Sequence, residues 1–130
     1  MLLVDDDPLL RGTLSRDLRR RGCLVETAGD GHAALARWKS APFELVLSDW
    51  KMPRSDGLTF LLRLIDDGAL RKARLFLMTG SDPASTALDR LRHHGVAVLA
   101  KPLDAATMCA LAGPMVVGPA EVTEARRVEG

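Results

Sequence analysis

The chain has 130 residues, 47% of them hydrophobic and 27% charged, which is enough for one domain with a proper core and too few for two. Its 18 basic residues nearly cancel its 17 acidic ones, and a formal charge of +1 gives no reason to expect direct nucleic-acid binding through bulk electrostatics. No charged leader and no run near the roughly 20 apolar residues of a membrane span is present, and Cys23 and Cys109 lie far apart without C-x-x-C spacing or histidine partners, so the expectation is a soluble cytoplasmic protein with reduced, buried thiols.

Residues 1–4 are apolar and stop at Asp5, Asp6 and Asp7 before Pro8, so a strand runs into an acidic corner and a helix starts on a cap-plus-proline pair. Leu10, Leu14 and Leu18 fall four apart on one face of that helix, Arg11, Arg16, Arg19 and Arg20 form a solvated face, and Gly22 stops it. Residues 23–27 read as a second strand; Asp30 caps a helix whose Ala34, Leu35 and Trp38 face the core, and Pro42 ends that unit. The run Leu45, Val46, Leu47 is a third, buried strand that delivers Ser48 and Asp49 to a loop with Pro53 and Ser55-Asp56-Gly57. Leu58, Leu61, Leu62 and Ile65 then repeat at helical spacing up to Gly68.

Residues 74–78 make a fourth strand with Thr79 at its end. Asp82-Pro83 predicts another cap-plus-proline start, with Ala84, Ala87, Leu88 and Leu91 on one helix face before Gly95. Residues 96–100 form the fifth strand, ending in Lys101-Pro102, and Asp104 caps a last helix carrying Ala105, Met108, Cys109 and Ala112. Five strands alternating with five helices over short loops predict an α/β fold with a parallel, doubly wound sheet. Ligands of such sheets bind outside the carboxyl ends of the strands, where this chain puts Asp5, Asp6, Asp49, Thr79 and Lys101. Converging carboxylates repel one another unless a cation is present, and an all-oxygen site suits Mg²⁺. A lysine and a hydroxyl beside them can bond the oxygens of an incoming phosphoryl group, which makes Asp49 the nucleophile.

The series VDDDP, SDWKMPRSDG, LMTG and LAKP resembles the receiver domain of two-component response regulators over about residues 1–112. The resemblance implies the flavodoxin-like strand order 2-1-3-4-5, Asp49 as phosphoacceptor, and Asp5, Asp6, Asp49 and the Lys51 backbone carbonyl as Mg²⁺ ligands. It further implies Thr79 as the switch hydroxyl, Lys101 as the lysine that pairs with the phosphoryl group, and a cis bond before Pro102. The implied donor is a histidine kinase or a histidine phosphotransfer protein, and the output is a domain or protein outside this chain. Such a chain is a switch that catalyses its own phosphorylation and dephosphorylation, not a metabolic enzyme.

Two departures stand out. Val98 occupies the position, three before the lysine, where receivers usually carry an aromatic ring, and Lys51 and Ser81 stand where the family tunes the lifetime of the phosphoryl group; the Lys51 side chain is expected to reach that group or block the attacking water. Met1 already stands in the first strand, and Gly113-Pro114 and Gly118-Pro119 mark residues 113–130 as a tail or linker stub too short for a helix-turn-helix. A free-standing regulator and a receiver cut from a hybrid kinase or multidomain regulator both fit, as do a monomer and a phosphorylation-linked dimer. His93 and His94 read as helix C-terminal cations, His32 as a surface residue, Met52 and Met78 as core, and Trp50 as a ring packed on the loop or partly exposed. The rival readings are an interaction module that keeps the fold without the chemistry, and a haloacid-dehalogenase-like phosphatase built on Asp5-Asp6-Asp7. Against the latter, Leu9 stands where that family has Thr or Val.

Overall fold

Each apolar run of the sequence becomes a strand of one parallel sheet, because a segment buried on both faces needs neighbours on both sides for its backbone N–H and C=O groups. The computed structural model describes residues 1–52, 56–80 and 82–112. The strands are β1 (Leu2–Val4), β2 (Glu26–Ala28), β3 (Leu45–Asp49), β4 (Arg74–Thr79) and β5 (Ala97–Ala100). They alternate with α1 (Pro8–Arg20), α2 (Gly31–Ser40), α3 (Gly57–Asp66), α4 (Asp89–His93) and α5 (Ala105–Ala112). The sheet order is β2-β1-β3-β4-β5, all neighbours parallel, as the sequence predicts.

Side chains that alternate along the strands feed two cores. On one face Leu2, Val4 and Val46 pack with Ala34 of α2, Leu61 and Leu64 of α3 and Leu91 of α4. On the other, Leu3, Leu45, Leu47 and Met78 pack with Leu14 and Leu18 of α1 and Met108 and Ala112 of α5. Full burial of each such side chain is worth about 1.5–3 kcal/mol, so the central strands are held from both sides. Asp7, Asp30 and Asp56 cap α1, α2 and α3, and Asp104 accepts from Thr107 N at 2.8 Å at the start of α5. Gly22 stops α1 with φ +92°, its N–H donating to Arg19 O at 3.0 Å.

Four sequence expectations need correction. The second strand starts at Glu26 rather than residue 23: Glu26 pairs with Leu2 and its N–H donates to Met1 O at 2.9 Å, the Met1 amino group donates to Leu24 O at 2.8 Å, and Cys23 and Val25 are buried outside the ladder. The most buried face of α3 runs through Phe60, Leu61 and Leu64, with Leu58, Leu62 and Ile65 at its margins, since six apolar side chains in ten residues leave the stripe's centre undetermined. No helix starts at Asp82-Pro83. Asp82 closes a single turn instead, accepting from Ala84 N at 2.9 Å, and Ser85 accepts from Ala87 N at 3.2 Å to begin a 3-10 turn, Thr86–Leu88, that leads into the five-residue α4. Ala84 and Ala87 are exposed and bring too little apolar area to hold a further turn on the sheet. On the arginine face of α1, Arg16, Arg19 and Arg20 are exposed as expected, but Arg11 is half-buried, its Nη1 donating to Asp5 O at 2.7 Å. The tail expected from residue 113 onward lies outside the described residues.

Candidate phosphoacceptor site

β1, β3 and β5 release their polar residues at the same rim of the sheet. The ladder continues just past the strands: Asp5 N donates to Ala28 O at 3.1 Å, Trp50 N to Met78 O at 2.9 Å and Lys101 N to Thr79 O at 2.8 Å. Those bonds fix where each side chain leaves the backbone. Asp49, 8% exposed, has Oδ1 accepting from Trp50 N at 3.0 Å, while its Oδ2 lies 3.4 Å from Lys101 Nζ. Lys101 also donates to Asp5 Oδ2 at 3.2 Å, and Asp5 Oδ1 accepts from Asp7 N at 2.9 Å. Asp6 is exposed, and oxygens of Asp5, Asp6 and Asp49 lie within 4.8 Å of one another. Thr79, 1% exposed, stands one residue beyond Met78, the register partner of Asp49.

Three carboxylates face one ammonium. Burial is the largest influence on Asp49 and holds its pKa above the ordinary carboxylate value; Lys101 pulls it back, and Asp5 and Asp6 push it up again. Burial works against the Lys101 ammonium too, but Asp5 and then Asp49 outweigh it and hold its pKa above that of a free lysine. Three carboxylates with hard oxygen donors, and no nitrogen or sulfur ligand among them, could hold a small divalent cation.

The start of α3 makes a close approach to the end of β3 that the sequence reading missed. Gly57 N donates to Trp50 O at 2.7 Å, and a Cβ at Gly57 would run into the Asp49 carbonyl oxygen and Ser48 Oγ. Only glycine lets the first turn of α3 sit there. A glycine at the first helical position after an Asp cap, where the chain must fold back onto its own strand end, is the signal that could have revealed it. Trp50 is 6% exposed and part of the core, so packing rather than exposure describes its ring. The Lys51 ammonium lies over that ring, 4.2 Å from its centroid. Trp50 and Lys51, with Asp82, Ala84, Ser85 and Thr86, line a cleft of about 450 Å³ beside the acid. Ser81 lies outside the described residues; Val98 is half-buried in β5, opposite Leu77. The Lys101–Pro102 bond is cis.

Residues 1–112 match the response regulator receiver domain. The chain belongs to that family. The receiver is 36% identical over 104 residues to a protein-glutamate methylesterase/protein-glutamine glutaminase of Hahella chejuensis, covering 78% of this chain and 28% of that protein. It therefore spans less than a third of that curated relative, which carries its receiver within a larger protein. Among solved structures it is similar to the chemotaxis response regulator CheY4 of Vibrio cholerae, with TM-score 0.71, 28% identity, and 85% of this chain and 92% of that one covered. It is also similar to a response regulator protein of Burkholderia pseudomallei, with TM-score 0.72, 31% identity, and 84% and 63% covered. That crystal structure contains a phosphorylated aspartic acid, a calcium ion and citrate. The five-stranded CheY-like sheet and the receiver assignment thus agree with the order read from the strands. Among the described residues no helix of this receiver is long and apolar enough to cross a membrane.

Proposed function

We propose that Asp49 accepts a phosphoryl group, in a Mg²⁺-dependent transfer from a histidine kinase or a histidine phosphotransfer protein, and that this switches the partners the receiver binds. The observation that carries the reading is the buried Asp49 carboxylate, bonded by Trp50 N–H and Lys101 and lying within reach of two further acids. The likeness to a relative whose structure contains a phosphorylated aspartic acid and a divalent ion supports it.

In the transfer an Asp49 oxygen attacks phosphorus, an O–P bond forms, and the P–N bond to the donor imidazole breaks, the imidazole leaving with a proton. Trp50 N–H holds Oδ1 in place, which leaves Oδ2 to attack. Lys101, already between Asp5 and Asp49, moves its hydrogen bond to a phosphoryl oxygen, and the Thr79 hydroxyl supplies another. Asp5, Asp6, Asp49 and the Lys51 carbonyl would hold Mg²⁺, which when bound offsets the negative charge shared by the acids and the phosphoryl group. Water reverses the modification, with Lys51 and Ser81 at the mouth setting its lifetime.

Residues 1–112 act as the receiver and residues 113–130 as a tail or linker stub to an output domain or protein elsewhere, all in the cytoplasm. Val98, lacking a ring, transmits the change by packing at the edge of the sheet rather than by a rotating aromatic. The test is the intact mass of wild type and Asp49→Asn after acetyl phosphate, with and without Mg²⁺. One phosphoryl adduct is expected, requiring both Asp49 and the metal. An adduct that survives Asp49→Asn overturns the assignment, turnover of a phosphate ester favours a phosphatase, and no adduct favours an interaction module.

A further inference from the structure

At the opposite end of the strands, Cys23 and Cys109 stand 86 positions apart in the chain, yet their sulfurs meet at 2.8 Å. Both are free thiols. Cys23 follows the glycine that stops α1 and is 5% exposed, with its backbone N–H fixed on Leu18 O at 3.0 Å. Cys109 lies in the second turn of α5 and is only half-buried. Leu14, Leu18, Val25 and Met108 surround the pair, so the sulfurs are held in register by rigid apolar packing rather than by a mobile loop.

An S–S bond of about 2.05 Å requires these sulfurs to close by less than an ångström. We propose that Cys23 and Cys109 form a reversible intramolecular disulfide, which ties α5 to the turn between α1 and β2 and makes this end of the molecule a redox-modification site. A hydroperoxide is the class of oxidant that fits. The Cys109 sulfur, the more exposed of the two, attacks the peroxide; the O–O bond breaks, an alcohol or water leaves, and Cys109 becomes a sulfenic acid, oxidised by two electrons as the peroxide is reduced by two. The Cys23 sulfur then attacks the Cys109 sulfur, its proton departs with the sulfenic hydroxyl as water, and the S–S bond forms. Burial, with the hydrogen bond to Cys109 next, pushes the Cys23 thiol up to about 12, so Cys109 rather than Cys23 meets the oxidant first, and the short approach of the two sulfurs brings Cys23 to the second step. Neither cysteine touches Asp5, Asp49 or Lys101, so the site stands independently of phosphorylation.

The full chain is treated with hydrogen peroxide under native conditions, quenched with N-ethylmaleimide, and weighed intact and after proteolysis. The expected product has lost two hydrogens, takes up no maleimide, yields one cross-linked peptide containing both cysteines, and regains two reactive thiols with a dithiol reductant. Its Tm rises by about 10 °C, because the bond closes a long loop of the unfolded chain. Cys23→Ser and Cys109→Ser each abolish the cross-link and the rise in Tm, and Cys23→Ser accumulates the sulfenic and then the sulfinic acid at Cys109. Wild type that keeps two maleimide-reactive thiols, oxidises only to the sulfinic acid, or links between molecules overturns the proposal.

Discussion

β3 and β5 deliver the acid and the lysine to one rim, but they are held very differently. Every residue of β3 is buried, with β1 and β4 on its sides and both cores on its faces. No residue of β5 is fully buried, it pairs only with β4, and the helix before it has five residues where α3 has ten. The Asp49 carboxylate is therefore set at the end of a strand held on both sides and Lys101 just past one held on a single side. Regions with few buried apolar contacts open at lower free-energy cost, so the end of β5 is expected to yield before the end of β3.

The contrast can be broken most severely at Gly57. Gly57→Ala forces a methyl group against the Asp49 carbonyl oxygen and Ser48, and is expected to cost about 3 kcal/mol in urea unfolding. A loss under about 0.5 kcal/mol would mean that the constrained half yields as easily as the other. One matched pair sharpens the comparison. Ala34→Gly, at a fully buried position of α2, is expected to lose about 2 kcal/mol from helix propensity and a buried methyl together, whereas Ala87→Gly in the exposed 3-10 turn loses about 0.5 kcal/mol or less.

The last effect has the opposite sign. Asp49 has a folded pKa raised above its ordinary value, so the folded state prefers the neutral acid and loses stability as pH rises through the window between the unfolded and folded values. Above the folded value that loss is complete, and there Asp49→Asn should stabilise the metal-free protein, Lys101 keeping its bond to Asp5. The gain should vanish below the ordinary Asp pKa of about 4, and thermal unfolding of both proteins at neutral and acid pH measures it.

Local chemistry made much of this legible in the sequence. Asp7, Asp30 and Asp104 cap helices as expected because a short carboxylate reaches the free N–H groups beside it, and the apolar runs end where the polar residues begin. The acids and the lysine at those ends thus fall on one rim from the sequence alone. What stayed hidden depends on distance across the fold. The contact of Cys23 with Cys109 arises only when α5 packs beside α1, and the role of Gly57 only when the chain returns to Asp49. Over residues 82–91 the helical spacing was real, but Asp82 and Ser85 offered the backbone competing bonds and two exposed alanines could not overrule them. Trp50 could not be settled from its neighbours in sequence, because the core that buries it comes from the opposite helix and strand.

The bond between Asp5 and Lys101 joins residues 96 positions apart, and it has a temporal side. A chain emerging from synthesis carries its acids long before its lysine, and the lysine reaches them only after the last strand has docked on β4. Until then Asp49 has neighbours that repel it and no cation of its own to relieve them. The three acids and the lysine are therefore brought together last, so an unfinished copy lacks the completed cluster.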